Sequence, residues 1–327
     1  MKSIDLIAPA KVNLYLGIGR KRDDGYHDAT TVMHALSMHD KLHMTLLGSG
    51  ERTVLFEPCD AAQPLRQFEA AVDPHSGLAV SANTVWRTGI AGENISDEDN
   101  LACRAVRALA EALGRHEDEL MRITIEKHIP HQTGLGGGSA DAAAALLGAA
   151  DLWGIPATDP MLAEAARALG ADVLFFLKGG CAALGGRGDE FAGTLTPRHD
   201  SVVIIRPEGG VSTAQAYATF DNDPAFPTPG ETEAILAHTA ASEVALSNNL
   251  AAPAEKILPE LADIRAFARA IDGVTDVLLC GSGSGTLAVC KDMKTAQALS
   301  AAARQKGWWA RTTSFSSIRA AKLPEKK

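Results

Sequence analysis

The residues with chemistry to offer are few. The segment Pro130-His131-Gln132-Thr133-Gly134-Leu135-Gly136-Gly137-Gly138-Ser139-Ala140-Asp141 places four glycines in five positions. Glycine loses more backbone entropy than any other residue, so such a run makes a poor helix or strand. It does let backbone N–H groups press against a ligand. Before it, Met121, Ile123, Ile125 and Ile129 recur with period two, which predicts a strand over 121–129. After it, Ser139 is the expected N-cap of an alanine-rich helix over 142–153. Strand, glycine loop and helix N-terminus together favour an anion, phosphate above all. The loop is not a Walker A sequence, because no lysine follows Gly138. Nor is it G-x-G-x-x-G, since counting from Gly134 puts Ser139 at the last position. An ordinary glycine-rich turn is the competing account.

Four further segments carry polar groups in suggestive places. Val12, Leu14, Leu16 and Ile18 alternate with Lys11, Asn13 and Tyr15, so one strand face is apolar and the other polar. Lys11 and Asn13 side by side would steady a transferring phosphoryl group and a hydroxyl, or simply form a solvated face. Asp23-Asp24-Gly25 is a turn signal followed by Tyr26 and His27. These two suit stacking on a planar ring and hydrogen bonding to it; one packed tyrosine beside a turn is the alternative. Asp172 stands before the apolar run Val173 to Leu177. A carboxylate there needs a partner, serves as a base, or caps a turn. Gly281 to Gly285 is either a hairpin turn or a close approach to the first glycine loop.

The elements that must position these groups are of mixed type. Strands are predicted in 4–19, around Pro9, and within 32–47. Residues 58–99, broken by Pro64, Pro74, Gly77, Gly89 and Gly92, read mainly as loop. Asp99 or Asn100 caps a helix over 101–113, ended by Gly114. A helix over 161–169, an apolar turn at 172–177 and a strand over 201–206 follow. Helices near 253–271 and 293–305 frame a strand over 274–280. The order is α+β in type, with a change of domain after residue 190. At 327 residues there is room for two cores. The net charge of −9 and pI near 5.6 argue against nucleic acid or an anionic membrane as partner, so an anionic ligand needs a local site. Lys2 and Asp5 flank the only early apolar residues, and no apolar run approaches a membrane span, so neither leader nor span is expected. Five cysteines (Cys59, Cys103, Cys181, Cys280 and Cys290) without CxxC spacing fit a reducing cytoplasm.

Taken in order, Ala8 to Leu14, Arg22 to Asp28, Pro130 to Ala143, Gly170 to Leu177, Gly186 to Asp189 and Gly281 to Gly285 resemble the GHMP kinase superfamily. The resemblance spans most of the chain. It implies an ATP-dependent small-molecule kinase with an N-terminal domain like ribosomal protein S5 domain 2, over 1–198, and a ferredoxin-like C-terminal domain, over 199–327. ATP would lie on Pro130, His131, Gln132, Thr133, Gly134, Leu135, Gly136, Gly137, Gly138, Ser139 and Ala140. Magnesium would bridge its phosphates mostly through water, with no protein metal ligand assigned. The resemblance makes Lys11 and Asp172 catalytic: Asp172 accepts or orients the proton of the attacking hydroxyl, and Lys11 lowers the pKa of Asp172 and offsets phosphoryl charge. It makes Asn13, Tyr26, His27, Thr213 and Tyr217 substrate contacts. Tyr26-His27 points to a cytidine diphosphate alcohol as substrate, in a monomer or homodimer. A kinase for homoserine, mevalonate or a sugar, and a non-catalytic ligand sensor, stay as alternatives. Three features depart from the family pattern: bulky His131-Gln132-Thr133 at the loop entrance, a long 58–99 region suited to a surface insertion or lid, and asparagine in Ser247-Asn248-Asn249-Leu250 where aspartate is commoner.

Overall fold

A computed structural model of the chain describes residues 1–58, 65–90, 92 and 95–324. Cys59 and Pro64 lie outside the described residues.

The N-terminal part runs β1 (Lys2–Lys21), β2 (His27–Gly48), β3 (Arg52–Glu57), β4 (Arg66–Ala71), β5 (Leu78–Trp86), α1 (Leu101–Ala112) and β6 (Glu119–Lys127). It continues through α2 (Gly137–Trp153), α3 (Pro160–Leu169), α4 (Ala171–Lys178), β7 (Cys181–Gly185) and β8 (Glu190–Thr194). Then come β9 (Ser201–Arg206), α5 (Thr213–Asn222), α6 (Pro229–Ala237), β10 (Ser247–Asn248), α7 (Ala251–Ile257) and α8 (Glu260–Arg269). The chain closes with β11 (Val274–Leu279), β12 (Thr286–Cys290), α9 (Met293–Gln305), β13 (Trp309–Ser314) and β14 (Ala321–Lys322).

Among the described residues, eight strands make the larger sheet. Its main path is β10-β1-β2-β6-β5, with β14 on β1, β7 on β2 and β8 on β7. The smaller sheet runs β11-β12-β9-β13 and is antiparallel. The α+β class expected from sequence is the class observed. Strand β9, Ser201–Arg206, has the predicted bounds, and both its faces are buried. Val203 and Ile205 pack against Ile264, Ala268 and Leu299 of α8 and α9. Val202 and Ile204 pack instead with Val12, Leu14 and Leu36 of the larger sheet. Two-sided burial explains a continuous apolar strand without alternation.

Several local expectations are corrected. The 58–99 region, expected mainly as loop, also carries two strands: β4 closes a hairpin with β3, and β5 is a parallel edge partner of β6. Its small and polar residues, Ala79, Ser81, Ala82 and Asn83, hide the strand from a hydrophobicity reading. The 172–177 turn is helix α4. Val173, Leu174, Phe175 and Phe176 are all buried, so no apolar periodicity marks it. The helix predicted near 253–271 is two helices, interrupted at Leu258-Pro259, where proline supplies no N–H to continue the ladder. Helix α2 starts at Gly137 rather than Ala142, with left-handed Gly136 as N-cap and Ser139 inside the first turn. No side chain caps it, so its leading N–H groups are left for a ligand. Its alanines let it sit close against the sheet, and a Cβ on Gly148 would lie 2.4 Å from the Met44 sulfur.

Candidate active site

Strand β1 does not alternate regularly through the site. Register shifts fall between Pro9 and Lys11 and again between Asn13 and Tyr15. A bulge turns subsequent side chains to the other face. Tyr15 therefore joins Val12 and Leu14 in the core, where the sequence pattern had put it beside Lys11 and Asn13, and Leu16 faces the same cavity as those two. Lys11 is almost fully buried. Its Nζ donates to Asn13 Oδ1 at 2.8 Å and lies 3.3 Å from Asp172 Oδ2. Asn13 Nδ2 in turn donates to Thr31 Oγ1, and Thr31 to the Tyr15 carbonyl, so the amide's orientation is set from behind. Asp172 sits in the first turn of α4, where the helix dipole favours an anion.

Lys11, Asn13, Gly134, Gly136, Asp172, Thr213 and Tyr217 share the walls of one cavity of about 290 Å³. Thr213 Oγ1 is 2.9 Å from Ser282 Oγ. Burial and the charge of Asp172 push the Tyr217 phenol up to about 12, which keeps its proton on. Tyr26 and His27 do not line this cavity. His27 is buried behind Tyr217, ring centroids 5.1 Å apart, with Nε2 2.6 Å from Asp221 Oδ1. Tyr26 projects outward and is 61% exposed, with the Arg187 guanidinium 4.9 Å from its ring centre.

The glycine loop borders a second cavity of about 270 Å³, whose wall includes Pro130 to Gly138 but neither Ser139 nor Ala140. Gly134 and Gly136 are left-handed, at φ 71° and 72°. Each is also closely approached. A Cβ on Gly134 would lie 1.9 Å from the Cys280 carbonyl oxygen, and one on Gly136 3.2 Å from Lys11 Cε. The second glycine cluster is thus the close neighbour of the first, and Ser284 N donates to the Gln132 carbonyl at 3.0 Å. Gly134 and Gly136 line both cavities, so the loop is their shared wall.

Sequence reasoning missed a buried ionic trio under the loop. Lys127 Nζ donates to Asp40 and, at 2.6 Å, to Asp141 Oδ2; all three are buried. Asp40 Oδ1 also accepts from the amides of His128 and Ile129. Among the described residues, Asp141 Oδ1 has no hydrogen-bond partner. Burial, with Asp40 adding to it, pushes the Asp141 carboxyl up, against the pull of Lys127. Asp141 stood in the loop motif, and Lys127 lies only 14 residues before it at the end of β6, but Asp40 comes from distant β2. The departure at Ser247 to Leu250 also has a structural role. Asn249 Oδ1 accepts from Ile18 N, while its Nδ2 donates to the carbonyls of Ile18 and Ala225. Aspartate has no such donor. Among the described residues, no three His, Cys, Asp or Glu side chains gather as a metal cage, and no helix is long and apolar enough to cross a membrane. Cys103, Cys181, Cys280 and Cys290 are free and buried.

Comparison with known proteins agrees with this architecture. The GHMP kinases N terminal domain family matches residues 100–180, which hold the loop and helices α1 to α4. A 4-diphosphocytidyl-2-C-methyl-D-erythritol kinase of Desulfitobacterium hafniense (strain Y51) is 33% identical over 309 residues, 93% of each chain. One from Nocardia farcinica (strain IFM 10152) is 35% identical, over 90% of this chain and 87% of that protein. A crystal structure of 4-(cytidine 5'-diphospho)-2C-methyl-D-erythritol kinase superposes with a TM-score of 0.69 at 30% identity, covering 95% of this chain and 99% of its own. A homoserine kinase from Cytophaga hutchinsonii shares the fold, with a TM-score of 0.66 at 16% identity over 99% of this chain and 98% of its own. The chain belongs to the 4-diphosphocytidyl-2-C-methyl-D-erythritol kinase family of GHMP kinases.

Proposed function

We propose that the chain transfers the γ-phosphoryl group of ATP to the C2 hydroxyl of 4-diphosphocytidyl-2-C-methyl-D-erythritol. The observation that carries this reading is the convergence of three functions at one wall. Lys11 Nζ lies 3.3 Å from the Asp172 carboxylate, and the Lys11 stem lies against left-handed Gly136 of the loop. A proton acceptor, a positive charge and an anion cradle therefore meet where a phosphoryl group would pass between the two cavities. Phosphoryl transfer asks for in-line placement and charge neutralisation rather than covalent help.

In this reading ATP lies along Pro130 to Ala140 with its phosphates toward the N-terminus of α2, where backbone N–H groups and the dipole favour anions. Asp172 accepts or orients the hydroxyl proton, and Lys11 offsets the charge on the moving group. Asn13, Thr213 and Tyr217 hold the methylerythritol side. Tyr26 offers the base a stacking face, and His27, fixed by Asp221, leaves Nδ1 for the pyrimidine edge. Magnesium carried on the ATP phosphates fits a site with no carboxylate cage. Asp141, the carboxylate paired with Lys127 in the wall of the loop cavity, is the residue that would hold it through water. Bound there, the ion neutralises phosphate charge. Residues 1–198 and 199–327 serve as the nucleotide and substrate domains of a cytoplasmic monomer or homodimer.

The test is an ADP-release assay with ATP, magnesium and 4-diphosphocytidyl-2-C-methyl-D-erythritol, run beside homoserine and mevalonate. Turnover with the cytidine compound alone is expected. Turnover with either other alcohol, or none with the cytidine compound despite ATP binding, overturns the assignment.

A further inference from the structure

A further cavity is distinct from the two above. It is an open groove of about 960 Å³ between β13, the end of α9 and the entrance of the glycine loop. Arg206, Arg304 and Arg311 line it together with Trp308 and Trp309, and Glu208 is the one acidic residue in its wall. Among the described residues, no carboxylate lies within ion-pair distance of any of these three arginines. Arg206 is buried, and its guanidinium is held by carbonyls alone, those of Pro207, Glu208 and His131, at 2.9, 2.8 and 3.3 Å. Among the described residues, Arg304 donates only to the carbonyl and hydroxyl of Ser300, and Arg311 only to the His128 carbonyl. Trp308 and Trp309 are anchored through their indole N–H groups, to Glu260 Oε1 at 2.7 Å and the Thr88 carbonyl at 2.8 Å.

Burial works against the Arg206 charge, and Glu208 offsets this only from beyond ion-pair distance. Two exposed guanidinium groups beside it, in a chain of net charge −9, concentrate positive potential in one concave place. Planar guanidinium forks are matched to phosphate oxygens, and each of these arginines keeps N–H groups unused. We propose that this groove is a second anion site, which takes a small polyphosphate-bearing molecule separately from the nucleotide on the glycine loop. His131 and Gln132 line both this groove and the loop cavity, so an occupant is placed to change nucleotide affinity, and by linkage nucleotide is placed to change the affinity of the occupant. The proposal does not rest on which alcohol the enzyme phosphorylates.

The probe is inorganic tripolyphosphate, titrated calorimetrically into the full chain whose loop cavity has been filled with a non-hydrolysable ATP analogue. One equivalent is expected to bind, and R304A/R311A, which removes two exposed side chains without ion-pair partners, should weaken it at least tenfold at an unchanged melting temperature. R311Q alone should give an intermediate loss, so the outcome survives a folding defect in the double variant. Tripolyphosphate affinity that falls without limit as the analogue concentration is raised, the mark of direct competition and not of saturable linkage, would place the anion on the glycine loop and overturn the proposal. Equal affinity in wild type and R304A/R311A would do the same. Titration of the analogue alone reports separately on the ATP reading. If it does not bind, the comparison of wild type with R304A/R311A decides.

Discussion

The backbone N–H of Lys11 donates to the carbonyl of Leu135 at 2.9 Å. The strand that carries the lysine and the loop proposed to carry the nucleotide are thereby one hydrogen-bonded unit. The link falls immediately after the register shift between Pro9 and Lys11, where Lys11 is still paired with Ala35 of β2. A site that must place a charge to within half an ångström of a phosphoryl path gains from such a fixed backbone link.

Removing either member of the Lys11/Asp172 pair should therefore cost turnover and not nucleotide binding. Lys11→Ala is expected to lower kcat by about 10²–10³-fold, the range for loss of one preorganised charge. Asp172→Asn, which keeps shape but not basicity, should lower it by about 10²–10⁴-fold. Steady-state kinetics beside ATP calorimetry decides. Wild-type kcat in either variant removes that residue from the mechanism.

Gly134 offers a sharper test of the loop. Its φ of 71° disfavours any side chain, and a Cβ there would collide with the Cys280 carbonyl oxygen at 1.9 Å. Gly134→Ala should cost about 1–3 kcal/mol from backbone strain and push the two glycine clusters apart. ATP affinity should fall with it. Gly154→Ala is the control: φ is similar at 74° but the surrounding space is open, so about 1 kcal/mol and unchanged ATP affinity are expected. Equal effects at both positions would mean that the Cys280 contact is not what fixes the loop.

The sequence carried the chemistry of this site better than its geometry. The glycine loop, its preceding strand and the Lys11-Asn13 pair were legible because their signals are local. Tyr15 was misplaced because a bulge has no sequence signature, and strict period two then assigns every later side chain to the wrong face. Helix α4 was hidden because a helix buried on all sides has no amphipathic stripe. The Asp40–Lys127–Asp141 trio was invisible for another reason: its members meet only when β2, β6 and α2 pack together.

Asn249 predicts a measurable penalty for restoring the commoner acid. Asn249→Asp keeps the acceptor for Ile18 N but removes both donated bonds, to Ile18 O and Ala225 O. Two carbonyls then face a carboxylate. A loss of about 1–3 kcal/mol in urea unfolding is expected. A variant as stable as wild type would show that neighbouring backbone or water takes over the two carbonyls.

His34 should make the fold acid-sensitive in a defined window. It is fully buried between β2 and the segment after β8, with Nδ1 2.9 Å from the Ala35 carbonyl and Nε2 accepting from Arg198 N at 2.9 Å. That pattern requires a neutral ring: Nδ1 donates and Nε2 accepts, so a second proton would remove the acceptor. Burial, the dominant cause, lowers its pKa to about 4 from the ordinary 6.5. Between these values the unfolded chain binds the extra proton and the folded chain does not. Stability contributed by His34 is thus complete above pH 6.5 and is lost as pH falls toward 4, by about 3 kcal/mol over the window. Urea unfolding at pH 7 and pH 4.5 should show this loss in wild type and a smaller one in His34→Gln, which cannot titrate. The glutamine variant should be less stable at pH 7, where it gives up the fitted imidazole, and should close much of the gap at pH 4.5. Parallel pH profiles for the two proteins would mean that the acid sensitivity comes from other groups.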